Sequence, residues 1–254
     1  MASFGYTVAG FGAGDVGLRE IAVDAIDFNG TTSVVAYANN LFQYIPAQNT
    51  DPAEDSTHTI SFWLKPETIT DADVIVSTDA YGTFPSNDIQ LRTAGAGTEQ
   101  IQFSYIGSNN SNVFFVTSSP GSITTGAWQH IMLTWNDFTP TLYIDGAVDS
   151  HTTSGSGTDI PASASDGTHF GQRYADTGGY DYDGCLAEFY IDLNHYNNTE
   201  SFRSTAGKPV QVPTPLSNYF YLTGDSTTWA NQGNGSAGTQ TLTSITDCAD
   251  SPSD

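Results

Sequence analysis

The sequence predicts an all-β protein folded as a two-sheet antiparallel sandwich, and three observations predict it. Residues Gly126–Asp149 contain two runs in which side chains alternate between an apolar and a mixed face, joined through a polar loop. Ser, Thr, Asn and Gly are abundant while Lys is scarce, which suits many strands joined by many turns. The hydrophobic fraction of 38% is enough to fill a core in a chain of 254 residues.

The central stretch sets the pattern. Ile131, Leu133 and Trp135 fall on one face, with Gln129 at its solvent end, and Trp128, His130, Met132 and Thr134 fall on the other. Leu142 and Ile144 share a face in the second run, opposite Thr141 and Tyr143. Asp145-Gly146 supplies residues that tolerate positive φ in a tight hairpin, after which Val148 resumes the alternation. Strands are expected in order at Ile26–Val35, Thr59–Pro66, Val74–Ser77, Ile89–Arg92, Ile101–Ile106 and Val113–Thr117. Pro66 lacks a ladder donor and marks a strand end. Further strands follow at His169–Tyr174 and Tyr180–Ile191, with a short, poor helix over 198–205 that Thr199 would cap. The core is expected from Ile60, Phe62, Leu64, Ile131, Leu133, Trp135, Leu142, Ile144, Leu186 and Phe189.

Several of these runs carry a resemblance. Trp128–Trp135 resembles the "W-H-H-V-A-V-T-Y" strand of the laminin-G-like, concanavalin A-like jelly rolls, and Thr141–Gly146 resembles the "L-Y-V-D-G" hairpin that follows it. Thr59–Pro66 is similar to that superfamily's "F-T-I-S-F-W-V-K-P" strand. Ile26–Val35 looks like its opening strand and turn, His169–Tyr174 like the "I-G-x-R" strand, and Tyr180–Ile191 like "F-D-G-x-I-D-E-V-x-I". The resemblance spans residues 23–206 and implies a concanavalin A-like jelly roll. Residues 1–22 then form a Gly-rich N-terminal arm, or a first strand packed on the domain's own sheet. Residues 207–254 form a C-terminal extension: Tyr219–Leu222 and Thr239–Ile245 are expected to pair as a β-hairpin, behind a stiff connector at Pro209, Pro213 and Pro215. The ending Asp247–Asp254, the Leu222–Asp225 segment and the aromatic, Gly-rich opening resemble structural proteins of tailed bacteriophages.

Charge narrows the function. Six basic residues face 28 acidic ones, a formal net charge of -22, so the surface repels phosphate backbones and nucleic-acid binding is not expected. The acidity reads as solubility in a saline medium or as binding of divalent cations. No apolar run approaches the length of a membrane span and no secretory signal opens the chain, so synthesis in a host cytoplasm without a signal peptide is expected. The sequons at Asn29, Asn109, Asn197 and Asn234 are then chance matches. Cys185 and Cys248 are expected to be free thiols, one of them buried, in preference to a disulfide.

Catalysis is not expected. The superfamily's glucanases carry carboxylates at period two on one strand, and no such run occurs; Asp71/Asp73 and Asp181/Asp183 both sit in loops. No cofactor is required. The resemblance does imply a possible calcium ion at the rim, held by Asp27, Asn29, Asp181, Asp183 and Glu188, although Ala187 replaces the family's first acid. The alternative is that Asp27 and Asp183 shape turns. Sugar binding needs aromatic faces with planar polar groups: Tyr44, Tyr174, Tyr180, Tyr182 and Trp229 are candidates, and Arg173 would hold an acidic sugar or pair with a neighbouring Asp. Such aromatics also pack on their own domain or a subunit partner. The expectation is a non-enzymatic virion protein displaying a lectin-like domain as decoration or adhesion module. Its partners would be other virion proteins, copies of itself and a host-surface glycan. The alternatives are a free carbohydrate-binding or carbohydrate-active domain and a ligand-free capsid cement protein.

Overall fold

The computed structural model describes residues 19–39, 41, 57–70, 72–78, 87–93, 99–106, 113–136, 139–155, 167–172, 181–192, 196–214 and 219–254. Their strands are, in order, β1 (Ile26–Asn29), β2 (Val34–Tyr37), β3 (Thr57–Pro66), β4 (Asp73–Thr78), β5 (Asn87–Thr93) and β6 (Glu99–Ile106). Next come β7 (Val113–Thr117), β8 (Gln129–Asn136), β9 (Thr139–Ile144), β10 (Ala147–Val148), β11 (Thr152–Gly155) and β12 (Thr168–Phe170). The last are β13 (Asp183–Asp192), β14 (Phe220–Thr223), β15 (Ala230–Asn231), β16 (Gln240–Thr243) and β17 (Thr246–Asp247).

They form two antiparallel sheets, as a jelly roll requires. A nine-stranded sheet runs β10-β9-β8-β3-β13-β1-β17, with β14 also on β13 and β15 on β14. An eight-stranded sheet runs β11-β7-β6-β5-β4-β12-β2-β16. Alternation decides which side chains meet. Ile60, Phe62 and Leu64 of β3, Ile131, Leu133 and Trp135 of β8, and Leu142 of β9 face Ile89, Leu91, Ile101, Phe103, Val116 and Phe170 of the other sheet in one buried cluster. Phe189 stacks on Phe62 at 5.5 Å and meets Phe170 edge-on at 4.9 Å, tying the layers through three aromatic rings.

Two glycines are fixed by geometry. Asp145 (φ 51°) and Gly146 (φ 86°) form the two-residue turn between β9 and β10, the left-handed pair that suits a twisted hairpin. Gly171 has φ 83°, and a Cβ there would lie 2.1 Å from Cδ1 of Phe28, so neither backbone nor packing admits a side chain.

The end of the chain departs from expectation in three ways. β14 and β16 do not pair: β14 joins β13 and the short β15, whereas β16 crosses to the smaller sheet and joins β2. The C-terminal segment is thus woven into both layers. The expected helix is a single 3-10 turn, Thr199–Ser201, and its cap is Asn198, whose side chain accepts from the Glu200 amide at 3.1 Å. Cys185 and Cys248 are joined in a disulfide, correcting the expectation of free thiols. β17 pairs with β1 and β1 with β13, which brings the two Cα atoms to 5.9 Å across a sequence separation of 63.

Beyond the disulfide, Lys65 Nζ pairs with Asp250 Oδ1 at 2.7 Å, and Lys208 Nζ donates to the carbonyls of Ser253 and Asp254. The backbone N–H of Cys248 donates to the Ala25 carbonyl at 3.0 Å. At the other end, Glu20 bridges Val210 and its carboxylate accepts from Ser204 Oγ at 2.7 Å. Residues 1–18 of the expected arm lie outside the described residues.

Candidate functional site

A sandwich has two outward faces, and here they differ. On the larger sheet the outward face is covered. Met132, Tyr143, Tyr190, Phe202 and Tyr219 form a second buried cluster there, and Trp63, Ala25 and Ala187 a third. His130 lies beneath this cover, its Nε2 2.8 Å from Ser61 Oγ and its ring 5.0 Å from Trp63. Burial, reinforced by the Arg203 charge, pushes its imidazole down to about 3, so it packs as a neutral ring. Among the described residues, His130 and Ser61 are buried under this cover.

The outward face of the smaller sheet is polar and ordered. Strand register lines up a row across all eight strands: Thr241, Ala36, His169, Ser77, Asp88, Ser104, Phe115 and Ser154. A second row beside it holds Val74, Gln90, Gln102, Thr117 and Thr152. These residues point away from the core because their neighbours Ile89, Leu91, Ile101, Phe103 and Val116 point into it. The polar groups brace each other. Gln90 Nε2 donates to Asp88 Oδ2 at 2.9 Å, and Gln102 accepts from Arg92 Nη1 at 3.0 Å while donating to Thr117 Oγ1 at 2.8 Å. Asp88, Gln90, Gln102 and Ser104 are buried in this layer; Arg92, Gln100, Phe115, Thr117 and His169 keep partial exposure. Among the described residues, the result is a layer of mostly buried amides and hydroxyls with the partly exposed ring of Phe115 at its surface. Asp88 is the single carboxylate among the described strand residues of this face, so those residues by themselves do not make the carboxylate pair used in glycoside hydrolysis.

The sequence-predicted aromatic site is largely displaced. Tyr44, Arg173, Tyr174 and Tyr180 lie outside the described residues. Tyr182 is a core residue: it has no exposed surface, packs against Phe28 at 5.8 Å and donates its hydroxyl to the Cys185 carbonyl at 2.8 Å. Trp229 is buried in the same central cluster. Neither ring offers a face to a sugar, so both assignments are corrected. The residues that do form a polar face were unmarked in the sequence. The period-two polar sets Asp88/Gln90/Arg92 and Gln100/Gln102/Ser104 were the available signal, but only register sets them side by side.

The calcium set does not converge either. Asn29 Oδ1 is occupied by the amides of Thr31, Thr32 and Ser33, closing its own turn. Glu188 sits at a bulge in β13 with φ 53°, and its two oxygens accept from the hydroxyls of Tyr221 and Thr223 on β14. Burial raises its carboxyl above the ordinary range. Asp181 forms an isolated parallel backbone bridge with Val74 of β4, and Asp183 Oδ2 accepts from Thr68 at 2.8 Å. Asp27 accepts from Thr246 Oγ1 at 3.2 Å; burial raises its carboxyl, with Glu67 and Asp183 adding to the effect. Asp27, Asn29 and Asp183 do share one end of the sheet through the β1–β13 register, but Glu188 is turned to β14. Among the described residues no group of three or more acidic, His or Cys side chains could hold a metal ion. The residues present therefore do not fit the ion.

Comparison with known proteins agrees with this architecture. The profile described as the concanavalin A-like lectin/glucanases superfamily, Laminin_G_3, matches residues 39–196. The chain belongs to that superfamily. No curated protein matches it in sequence. Among solved structures, this concanavalin A-like sandwich is similar to a heptameric SAP-like pentraxin from Limulus polyphemus. The TM-score is 0.51 at 17% identity, covering 81% of this chain and 94% of the pentraxin. It is also similar to the CBM40 module of the Ruminococcus gnavus IT-sialidase bound to α2,3 sialyllactose, with a TM-score of 0.46 at 11% identity over 71% of this chain and 94% of that one. A third is tailspike protein 2 of Escherichia coli O157:H7 bacteriophage CAB120, with a TM-score of 0.40 at 15% identity over 72% of this chain and 27% of the tailspike. At these identities the likeness concerns fold. Among the described residues no helix is long and apolar enough to cross a membrane.

Proposed function

We propose that this chain is a non-enzymatic carbohydrate-binding domain whose ligand lies along the outward face of the smaller sheet. One observation carries the reading: Phe115 of the eight-strand row is partly exposed, Arg92, Gln100, Thr117 and His169 are partly exposed on the same face, and Gln102 of the second row is held between Arg92 and Thr117. Planar amides and hydroxyls match the alternating donors and acceptors of sugar hydroxyls, and an aromatic ring packs against the C–H face of a pyranose. Strands lie about 4.8 Å apart, so the row runs roughly 34 Å, enough for an extended oligosaccharide. A net charge of -22 favours neutral glycans over acidic ones. The purified chain is expected to bind neutral polysaccharides in a glycan panel, and Phe115→Ala to weaken that binding at least about tenfold, near 1.4 kcal/mol. A blank panel, or a Phe115→Ala protein that binds like the parent, would overturn the assignment.

We place this domain on the surface of a tailed-phage particle, made in the host cytoplasm and carried out with the virion. The support is the likeness of the Asp247–Asp254 ending and the Gly-rich opening to phage structural proteins. Gold-conjugated antibody is expected to decorate intact particles. Particles that stay bare would sink the virion reading and leave a free sugar-binding domain.

A further inference from the structure

The segment Gln240–Asp247 borders both sheets. As β16 it ends the smaller sheet, and after a corner at Ser244, where φ is 51°, it continues as β17 and ends the larger one. Among the described residues no strand pairs with the outer side of either. An open edge exposes unpaired backbone N–H and C=O groups, and edges that must stay single usually carry charge, proline or a bulge. This one carries none of these from Thr239 to Thr246, in a chain with 28 acidic residues. Thr241, Leu242, Thr243 and Ser244 are all exposed. Among the described residues, Leu242, at 37% exposure, is one of two exposed large hydrophobic side chains; the other is Val148 of β10 at 63%.

We infer that the β16 edge is a self-association site at which a second copy of this chain adds its own β16 antiparallel. Two features select a second copy as the occupant. Two chains of charge -22 repel over most of their surfaces, and an uncharged strip lets them approach. The strip is also self-complementary. An antiparallel pair centred on Leu242 sets Leu242 against Leu242 and each Thr241 against a Thr243, the symmetry of a two-fold contact. Pairing there extends the smaller sheet from one copy into the next, so the polar rows of both become one continuous face. β11, at the opposite end of that sheet, is also uncharged, but its exposed Thr152, Thr153 and Ser154 include no large apolar side chain.

Sedimentation equilibrium on the full chain tests this. A reversible dimer is expected, tightening as salt screens the acidic surfaces. Leu242→Lys sets two ammonium groups opposite each other and should raise the dimer dissociation constant at least about tenfold, although it lowers the net negative charge. Thr241→Lys, at an exposed position on the outward face, should act in the same direction, and Val148→Lys at the far edge should leave the dimer intact. Thermal melts check that each variant is folded. A parent chain that is monomeric at every concentration, or a dimer indifferent to both lysines on β16, would overturn the proposal.

Discussion

Acidification is expected to unfold this protein between pH 6.5 and pH 3, and two histidines account for much of it. His58 and His130 have no exposed surface, and burial pushes both imidazoles down to about 3. In the unfolded chain they protonate near 6.5. Below that pH the unfolded state binds protons that the folded state refuses, so stability is complete above pH 6.5 and is lost as pH falls. A displacement of this size corresponds to on the order of 4 kcal/mol per histidine by pH 3, against a typical total of about 5–15 kcal/mol. Glu188 and Asp27 oppose the effect, because burial raises their carboxyls and their protonation favours the fold over an overlapping range. Replacing His130 separates the contributions. His130→Gln keeps a partner for Ser61 and removes one titrating group, so its acid midpoint, followed by tryptophan fluorescence, should fall at lower pH than the parent's. Coincident midpoints would show that His130 does not carry the acid sensitivity.

Loss of the Cys185–Cys248 link is the second large effect. A cross-link closing a loop of this separation restricts the unfolded chain by about 4 kcal/mol on the loop-entropy estimate. Cys248→Ser should lower the urea midpoint accordingly, and a reducing agent should lower the parent's midpoint to the same value without affecting the variant. The ion pair of Lys65 with Asp250 is partly exposed and contributes much less, so it would not hold the tail in place of the disulfide. If parent and Cys248→Ser proteins unfold at one urea concentration, the link is dispensable for stability.

These cases show what the sequence made legible. Strands and their buried faces were readable because alternation is local: Ile60, Phe62 and Leu64 identify their face without knowledge of a neighbour. Partners across the sheet were not readable. Cys248 meets Cys185 because β17, β1 and β13 lie side by side, and β16 leaves β14 because its ladder partner is β2 in the other sheet. The same limit hid the candidate site. Asp88, Ser104 and Phe115 stand in one row only after β5, β6 and β7 have paired. Tyr182 and Trp229, flanked by glycine and polar residues, looked like loop aromatics; burial is a property of the folded layers and not of the flanking sequence.

The stitched C-terminus also has a mechanical meaning. A pull on Asp254 would not peel β16 and β17 away one ladder bond at a time. The covalent link at Cys248 would pass the load to Cys185 in β13, a strand flanked by β3 on one side and by β1 and β14 on the other. Only the residues after Cys248 could extend first, and a chain anchored by that end would transmit tension into the middle of its larger sheet as a nearly inextensible tether.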